Sequence, residues 1–288
     1  MDGIIIVDKE KDYTSRDVVN IASKVLHTKK IGHTGTLDPI ATGVLILVIG
    51  KATKLVEYLT AKEKEYIAKI CLGVETDTLD ATGTILKKEV VSLTKEKIDK
   101  VLATMIGSYE QEVPKYAAVK VNGKKLYEYA RNNEEVVLPK RMVTISSLER
   151  ISDVEVIDGN IYFEIKTTVS KGTYIRSLIR DIANKLDTVG MMCELQRTKQ
   201  GNFSLAQSIS MEQLKEHHFA IIPIKEVLKD MDTVIIEETL EQKIKNGSLL
   251  PDLYHKPKIL FLSKEGTPLA IYKPYDKNKT LIKPDIMF

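Results

Sequence analysis

The amino-acid sequence predicts an α+β protein built around a largely antiparallel mixed sheet with flanking helices. Three observations lead there. "IIIVD" (4–8) and "VLILVIG" (44–50) are apolar without alternation, as strands buried on both faces are. "YIAKICL" (66–72) and "IYFEIKTTVS" (161–170) alternate with a period of two, as half-buried strands do. Helical stripes fall between these strands, joined by hairpins and long loops.

Taken in order, the first strand is followed by "TSRD" (14–17), a capping-box pattern with Asp in the usual Glu position. Val18, Ile21, Ala22 and Val25 then recur at helical spacing. A Gly- and Thr-rich loop over 32–43 leads into the strand at 44–49. "TDTLDATG" (76–83) is a polar loop. Ile98, Val101, Leu102 and Met105 predict a helix ending by Gly107. Asn122-Gly123 is a turn signal, with a short helix through Leu126, Tyr129 and Ala130 after it. Ile175, Leu178, Ile179, Ile182 and Leu186 form a helical stripe, and Arg176 and Arg180 lie off it. Beyond residue 228 the pattern changes to strand, short helix and hairpin, with "KEGT" as the turn. The expected organisation is a domain over 1–228, with an insertion at about 120–145, and a small β-rich domain over 229–288.

Of the 288 residues, 43% are hydrophobic and 29% charged, enough for a packed core. No apolar run reaches membrane-spanning length and no leader pattern opens the chain, so a cytoplasmic protein is expected. Cys71 and Cys193 sit in strand-like contexts and read as buried free thiols of a reducing compartment. The net charge of +3 says little about partners. The stretches "HTKK" (27–30), "KVNGKK" (120–125), "PKR" (139–141) and "SKGTYIRSLIR" (170–180) would suit phosphate contacts or a solvated surface.

The loop "GHTGTLDPIATGVL" (32–45) holds one carboxylate, Asp38, among small residues. Gly43 and Gly50-Lys51 have the wrong spacing for a Walker A loop, and Ala52 replaces its Ser/Thr. The phosphorylated-Asp motif of ion pumps places its Asp before the TGT, where this chain has Gly32-His33. Asp38 and His33 are too few for a metal site. His217-His218 read as surface residues. Spacing alone therefore favours a turn role for Asp38, with a nucleophile still open.

That loop, "GKATKL" (50–55), "KEY" (64–66), "TDTLDATG" (76–83), "YAAVKVNGKKLYEYAR" (116–131), "SKGTYIRSLIRDI" (170–182) and "LQRTKQGNF" (195–203) occur in this order. Together they resemble the successive signatures of the TruB-type tRNA pseudouridine synthases. The tail resembles a short bacterial PUA domain, an RNA-binding module. The resemblance implies a cofactor-free reaction, and nothing in the sequence suggests a metal or more than a monomer. The protein would isomerise a uridine in the TΨC stem-loop of tRNA, at tRNA position 55. The C1′–N1 bond would break, the base rotate and a C1′–C5 bond form. Asp38 matches the family's catalytic aspartate. A carboxylate can attack covalently or stabilise positive charge on a sugar. It must be ionised, and an adjacent cation favours that form.

By the same resemblance Arg176 pairs with Asp38, its planar fork fixing the carboxylate. Tyr66 stacks on the target base and assists proton transfer, and His33 fills the space the extruded base leaves. Tyr174 and Leu195 line the uracil pocket. Thr36, Thr42, Lys9, Lys54 and Asp80 fall in matching blocks and are expected to shape the loop or contact RNA. Gly32, Gly35 and Gly43 would leave room for the RNA backbone, and the 120–145 insertion would close over it. Two departures stand out. "DKEKDYTS" (8–15) lacks the family's Pro and Gly, and Gln196 stands where "LRR" has an arginine. The alternatives are a tRNA folding chaperone in which modification is secondary, and a guide-RNA-dependent subunit. The chain lacks the long basic tails expected of the latter.

Overall fold

The computed structural model describes residues 1–288. Its main sheet has eleven strands. Eight follow one path: β15 (Ile222–Pro223), β1 (Gly3–Lys9), β3 (Thr42–Ile49), β13 (Gly190–Gln200), β4 (Lys64–Leu72), β12 (Asn160–Val169), β10 (Lys140–Arg150) and β7 (Gly107–Glu112). β2 (Ile31–His33) pairs with β3, β11 (Glu155–Ile157) with β12 and β14 (Phe203–Ser204) with β13. Every pairing is antiparallel except β3 with β13.

Helices α1 (Ser15–Val25), α3 (Lys95–Thr104), α5 (Ile175–Lys185) and α6 (Met211–Lys215) close one face of this sheet in a cluster of 36 buried residues. The capping box at α1 forms as its sequence requires. Asp17 N donates to Thr14 Oγ1 at 3.1 Å, and Thr14 N donates to Asp17 Oδ2 at 2.9 Å. α3 stops at Thr104, short of Gly107, which opens β7 at φ 118°.

The apolar runs of β1 and β3 have a physical reason. Ile5, Val7, Leu45 and Leu47 face the helices. Ile4, Ile6, Val44, Ile46 and Val48 face a second cluster with Ala52, α2 (Val56–Thr60) and α7 (Ile224–Val227). That cluster also takes in Leu260, Leu262 and Ile271 of a separate five-stranded sheet, ordered β16 (Thr233–Ile235), β18 (Ile259–Leu262), β19 (Pro268–Tyr275), β20 (Asn278–Met287), β17 (Leu250–Pro251). Each such fully buried aliphatic side chain stabilises the contact by roughly 1.5–3 kcal/mol. The opposite face of the small sheet packs Phe261, Tyr272 and Ile282 under α8 (Glu238–Lys245).

Two small hairpins flank the main sheet. β5 (Val74–Thr76) and β6 (Ile85–Lys88) enclose the 77–84 loop. β8 (Lys120–Val121) and β9 (Lys124–Lys125) turn at Asn122 and Gly123, with φ of 51° and 83°. α4 (Leu126–Arg131) follows, and Leu126 packs with Val113 and Ala117 in a core of only three buried residues. The insertion expected at 120–145 therefore ends earlier: Lys140 to Ile145 already pair with β7. Cys193 is half-buried rather than buried, because it is the extra residue at a bulge in β13.

Candidate active site

The 34–41 loop joins β2 to β3 where the main sheet parts. β3 and β13 pair only at Thr42–Gln196 and Gly43–Arg197. Gly43 has φ 99°, and a Cβ there would collide with the Arg197 carbonyl oxygen. Its missing side chain thus admits the neighbouring strand, a correction to the expectation that it leaves room for RNA. The loop is fastened from several sides. Arg197, 1% exposed, donates from Nε to Val44 O at 2.6 Å and from Nη2 to Gly35 O at 3.1 Å. The Ser15 hydroxyl bonds both Leu37 N and Leu37 O. Asp12, in the left-handed region at φ 69°, donates its N–H to Pro39 O at 2.8 Å. The atypical first loop thus folds onto the Asp38 loop without the Pro and Gly.

Lys9 is buried, and its ammonium donates to three backbone carbonyls, Glu10 O, Tyr13 O and Pro39 O. All three of its protons are engaged within the protein. Burial pulls its pKa down to about 8, against the opposing pull of the Asp38 charge. Lys9 thus ties the first loop to the Asp38 loop, the loop-shaping one of the two roles expected of it.

Arg176 sits in the first turn of α5. Its Nη2 lies 2.9 Å from Asp38 Oδ2 and donates to Tyr116 O at 3.1 Å. Its Nη1 donates to Thr78 O at 3.0 Å and lies 3.8 Å from Asp80 Oδ2. The helical stripe put Arg176 off the core, yet its side chain is only 6% exposed, because the 77–84 loop and the Tyr116 segment cover it. Asp38 is 37% exposed and opens to solvent. Asp80 is buried, and its Oδ1 accepts from Thr78 Oγ1, Thr82 Oγ1 and Thr82 N. It braces Arg176 from behind and does not border the pocket, so of the two roles expected of it, shaping the loop or contacting RNA, the structure shows the first. Removing one member of such a buried charge group typically costs about 3–5 kcal/mol.

Asp38 and Arg176 border a cavity of about 550 Å³ whose other walls include Tyr66, Tyr174, Leu195, Thr36 and Lys64. Tyr66 and Lys64 share one face of β4, and Tyr66 lies across from Arg197. The backbone of Tyr174 is held by buried Gln111: Tyr174 N donates to Gln111 Oε1 at 2.8 Å, and Gln111 Nε2 donates to Tyr174 O at 3.2 Å. Burial raises the pKa of the Tyr174 phenol, so it stays protonated at neutral pH. The apolar walls and planar rings suit a flat neutral base, and the Asp38 carboxylate at their edge suits a sugar carbon.

The remaining expected residues lie outside this pocket. His33 is half-buried, its Nδ1 accepts from Gly35 N at 3.3 Å, and burial lowers its pKa, leaving it neutral at pH 7. Thr42 donates from Oγ1 to Leu195 O at 3.5 Å and links the two strands. Lys54 follows the far end of β3, and its Nζ donates to Met287 O at 2.5 Å. The structure places it at the seam with the C-terminal sheet, away from Asp38. Sequence reasoning missed Lys64, Arg197, Gln111 and Tyr116. Only Lys64 left a signal, two places from Tyr66 on an alternating strand.

Solved structures share this architecture. A crystal structure of a Cbf5-Nop10-Gar1 complex aligns with a TM-score of 0.71, covering 99% of this chain and 84% of that one at 24% identity. An H/ACA RNP bound to a substrate RNA containing 2′-deoxyuridine aligns at 0.70, with the same coverages and 23% identity. The fold is that of the pseudouridine synthases. Two family models match in tandem: the N-terminal domain of TruB family pseudouridylate synthases over residues 23–175, and the tRNA pseudouridylate synthase B C-terminal domain over 176–235. The tRNA pseudouridine synthase B of Bacillus subtilis (strain 168) is 41% identical over 300 residues, and that of Bacillus cytotoxicus 40% over 295. Each alignment covers 99% of this chain and 96% of the relative. The chain belongs to the TruB family of pseudouridine synthases. No helix is long and apolar enough to cross a membrane.

Proposed function

We propose that this protein isomerises uridine to pseudouridine in the TΨC loop of tRNA, at position 55, as a monomer without cofactor or metal. The target uridine is extruded into the Asp38 pocket. Asp38 attacks the sugar or stabilises its developing positive charge while the C1′–N1 bond breaks. The base turns between Tyr66 and the Tyr174–Leu195 wall, a C1′–C5 bond forms, C5 loses its proton and N1 gains one. Arg176 holds the Asp38 carboxylate in one orientation, and an apolar wall excludes water while the base is detached. His33 occupies the space the base leaves in the RNA loop. The unit over 1–228 carries the chemistry, the 116–138 segment closes over the RNA, and the unit over 229–288 adds an RNA contact.

The observation that carries this reading is the 2.9 Å ion pair of Asp38 and Arg176 at the edge of the pocket that Tyr66, Tyr174 and Leu195 line. The experiment is tritium release from 5-³H-uridine tRNA, free of other proteins and guide RNA. Wild-type protein should release tritium, and Asp38→Ala should not. Turnover by Asp38→Ala would overturn the assignment, and a need for further components would indicate a guide-dependent subunit. The chaperone reading predicts that Asp38→Ala refolds tRNA as well as wild type does.

A further inference from the structure

Lys64 is only 7% exposed, yet it borders the pocket and meets no carboxylate. Its Nζ donates to Thr60 O and Lys62 O, both at 2.7 Å, which leaves one N–H uncommitted. Arg197 is similar. Its Nε and Nη2 are committed to Val44 O and Gly35 O, while its Nη1 has no partner in the protein. The one enclosed polar side-chain atom without a partner is Gln200 Oε1, so Arg197 Nη1 borders open space beside Gly35. Lys171, exposed in the turn before α5, borders the same pocket and also makes no ion pair. The one carboxylate bordering the pocket, Asp38, already faces Arg176. Three cations thus converge on one wall with nothing to balance them.

We propose that Lys64, Arg197 and Lys171 seat one phosphate of the RNA backbone adjoining the extruded nucleotide. The proposal rests on reading the pocket as the site of an extruded uridine. A neutral base carbonyl would accept a hydrogen bond and leave the wall's charge uncompensated, whereas a phosphodiester supplies a negative charge and acceptor oxygens. Burial, then the charges of Arg197 and Lys171, lower the Lys64 pKa to about 8. The other titratable groups lining the pocket are Tyr66 on its own strand face and Asp38, Tyr116, Tyr127, Tyr174 and Arg176. An arriving anion favours the ammonium and raises that pKa in the complex. The sign follows: affinity is full below pH 8 and declines as pH rises from 8 toward the pKa of the bound form.

The test is binding of a TΨC stem-loop RNA by full-length protein from pH 6.5 to 9.5, with single-turnover rates at saturating RNA. Lys64→Gln should weaken binding about tenfold and lower the salt slope by about one. Its rate at saturation should stay within about threefold and its decline above pH 8 should vanish. Lys64→Arg should bind tightly without that decline. Lys171→Gln, on the surface, should weaken binding about threefold even if the buried variant folds poorly. A methylphosphonate on either side of the target uridine should, at one of the two positions, weaken wild-type binding and abolish the Lys64→Gln penalty. The proposal is overturned if that penalty persists on both modified RNAs. It is also overturned if Lys64→Gln slows the saturated rate without weakening binding. Asp38→Asn separates the two readings: it should lose chemistry and keep the pH-dependent binding.

Discussion

The two sides of the pocket are held very differently. On the Asp38 side, Lys9, Ser15, Arg197 and Asp12 each bond the loop backbone, and Arg176 is engaged by Asp38, Asp80, Thr78 O and Tyr116 O. On the other side, the 113–138 segment rests on Val113, Ala117 and Leu126. Two of its four lysines are occupied internally: Lys124 with Glu134, and Lys125 with the hydroxyl of Tyr127. One side is over-determined and the other thinly packed. On the proposed function, a carboxylate that must meet one sugar atom needs the first condition, and a flap that must admit an RNA loop needs the second.

The largest effect should come from the fixed side. Asp38→Asn keeps the size and removes the charge. The single-turnover rate should fall by at least about three orders of magnitude, with RNA affinity within about threefold. Arg176→Lys comes next. Lysine cannot reach two carboxylates and two carbonyls through a planar fork. The rate should fall about 100-fold with a normal Kd. A rate within threefold of wild type would mean that the fixed side is less exacting than its bonds suggest.

Much of the fixed side's local structure was legible in the sequence. Thr14 and Asp17 announce α1, and the apolar run of β3 announces burial on both faces. Asp38, Arg176, Tyr66, Tyr174 and Leu195 were grouped through their order along the chain, and they meet at one pocket. What stayed hidden depends on distant pairing. β10 was not read as a strand, and β13 only in the strand-like context of Cys193, because register shifts at 145–147, 192–194 and 197–199 break their alternation. With the course of β13 past Cys193 unread, nothing could set Arg197 across from Tyr66 or explain Gly43. For Lys9 and Asp80 the sequence left loop-shaping and RNA contact both open, since the carbonyls and hydroxyls that bury them come from other segments or from a folded turn.

Gln111 connects the two sides and should give an intermediate effect. Its Nε2 also donates to Tyr109 OH, which donates to Asp181 Oδ2 on α5. Gln111→Leu keeps the bulk and removes both bonds to the Tyr174 backbone. The rate should drop about tenfold, with a loss of about 1–3 kcal/mol in stability measured by urea unfolding. An unchanged rate would show that Tyr174 is positioned by packing alone.

Leu126→Ala tests the thin side. Deleting a buried leucine costs about 2–5 kcal/mol, but here the loss falls on a segment that can open locally. Amide exchange across 116–137 should accelerate, Kd should rise about fivefold, and the rate at saturating RNA should stay within about threefold. A drop in saturated rate as large as that of Arg176→Lys would erase the distinction between the two sides.

The smallest effect is expected at Lys54, where the family resemblance and the geometry part. The resemblance groups it with residues that shape the loop or contact RNA, while the structure joins its ammonium to Met287 O at the seam of the two sheets. That bond is exposed and engages one of three protons, so its loss should cost no more than about 0.5 kcal/mol. Lys54→Gln should therefore leave the saturated rate unchanged. Its Kd decides between the two roles: a change within about twofold fits a seam residue, and a tenfold rise with a shallower salt slope would mean that bound RNA reaches past the pocket to that seam.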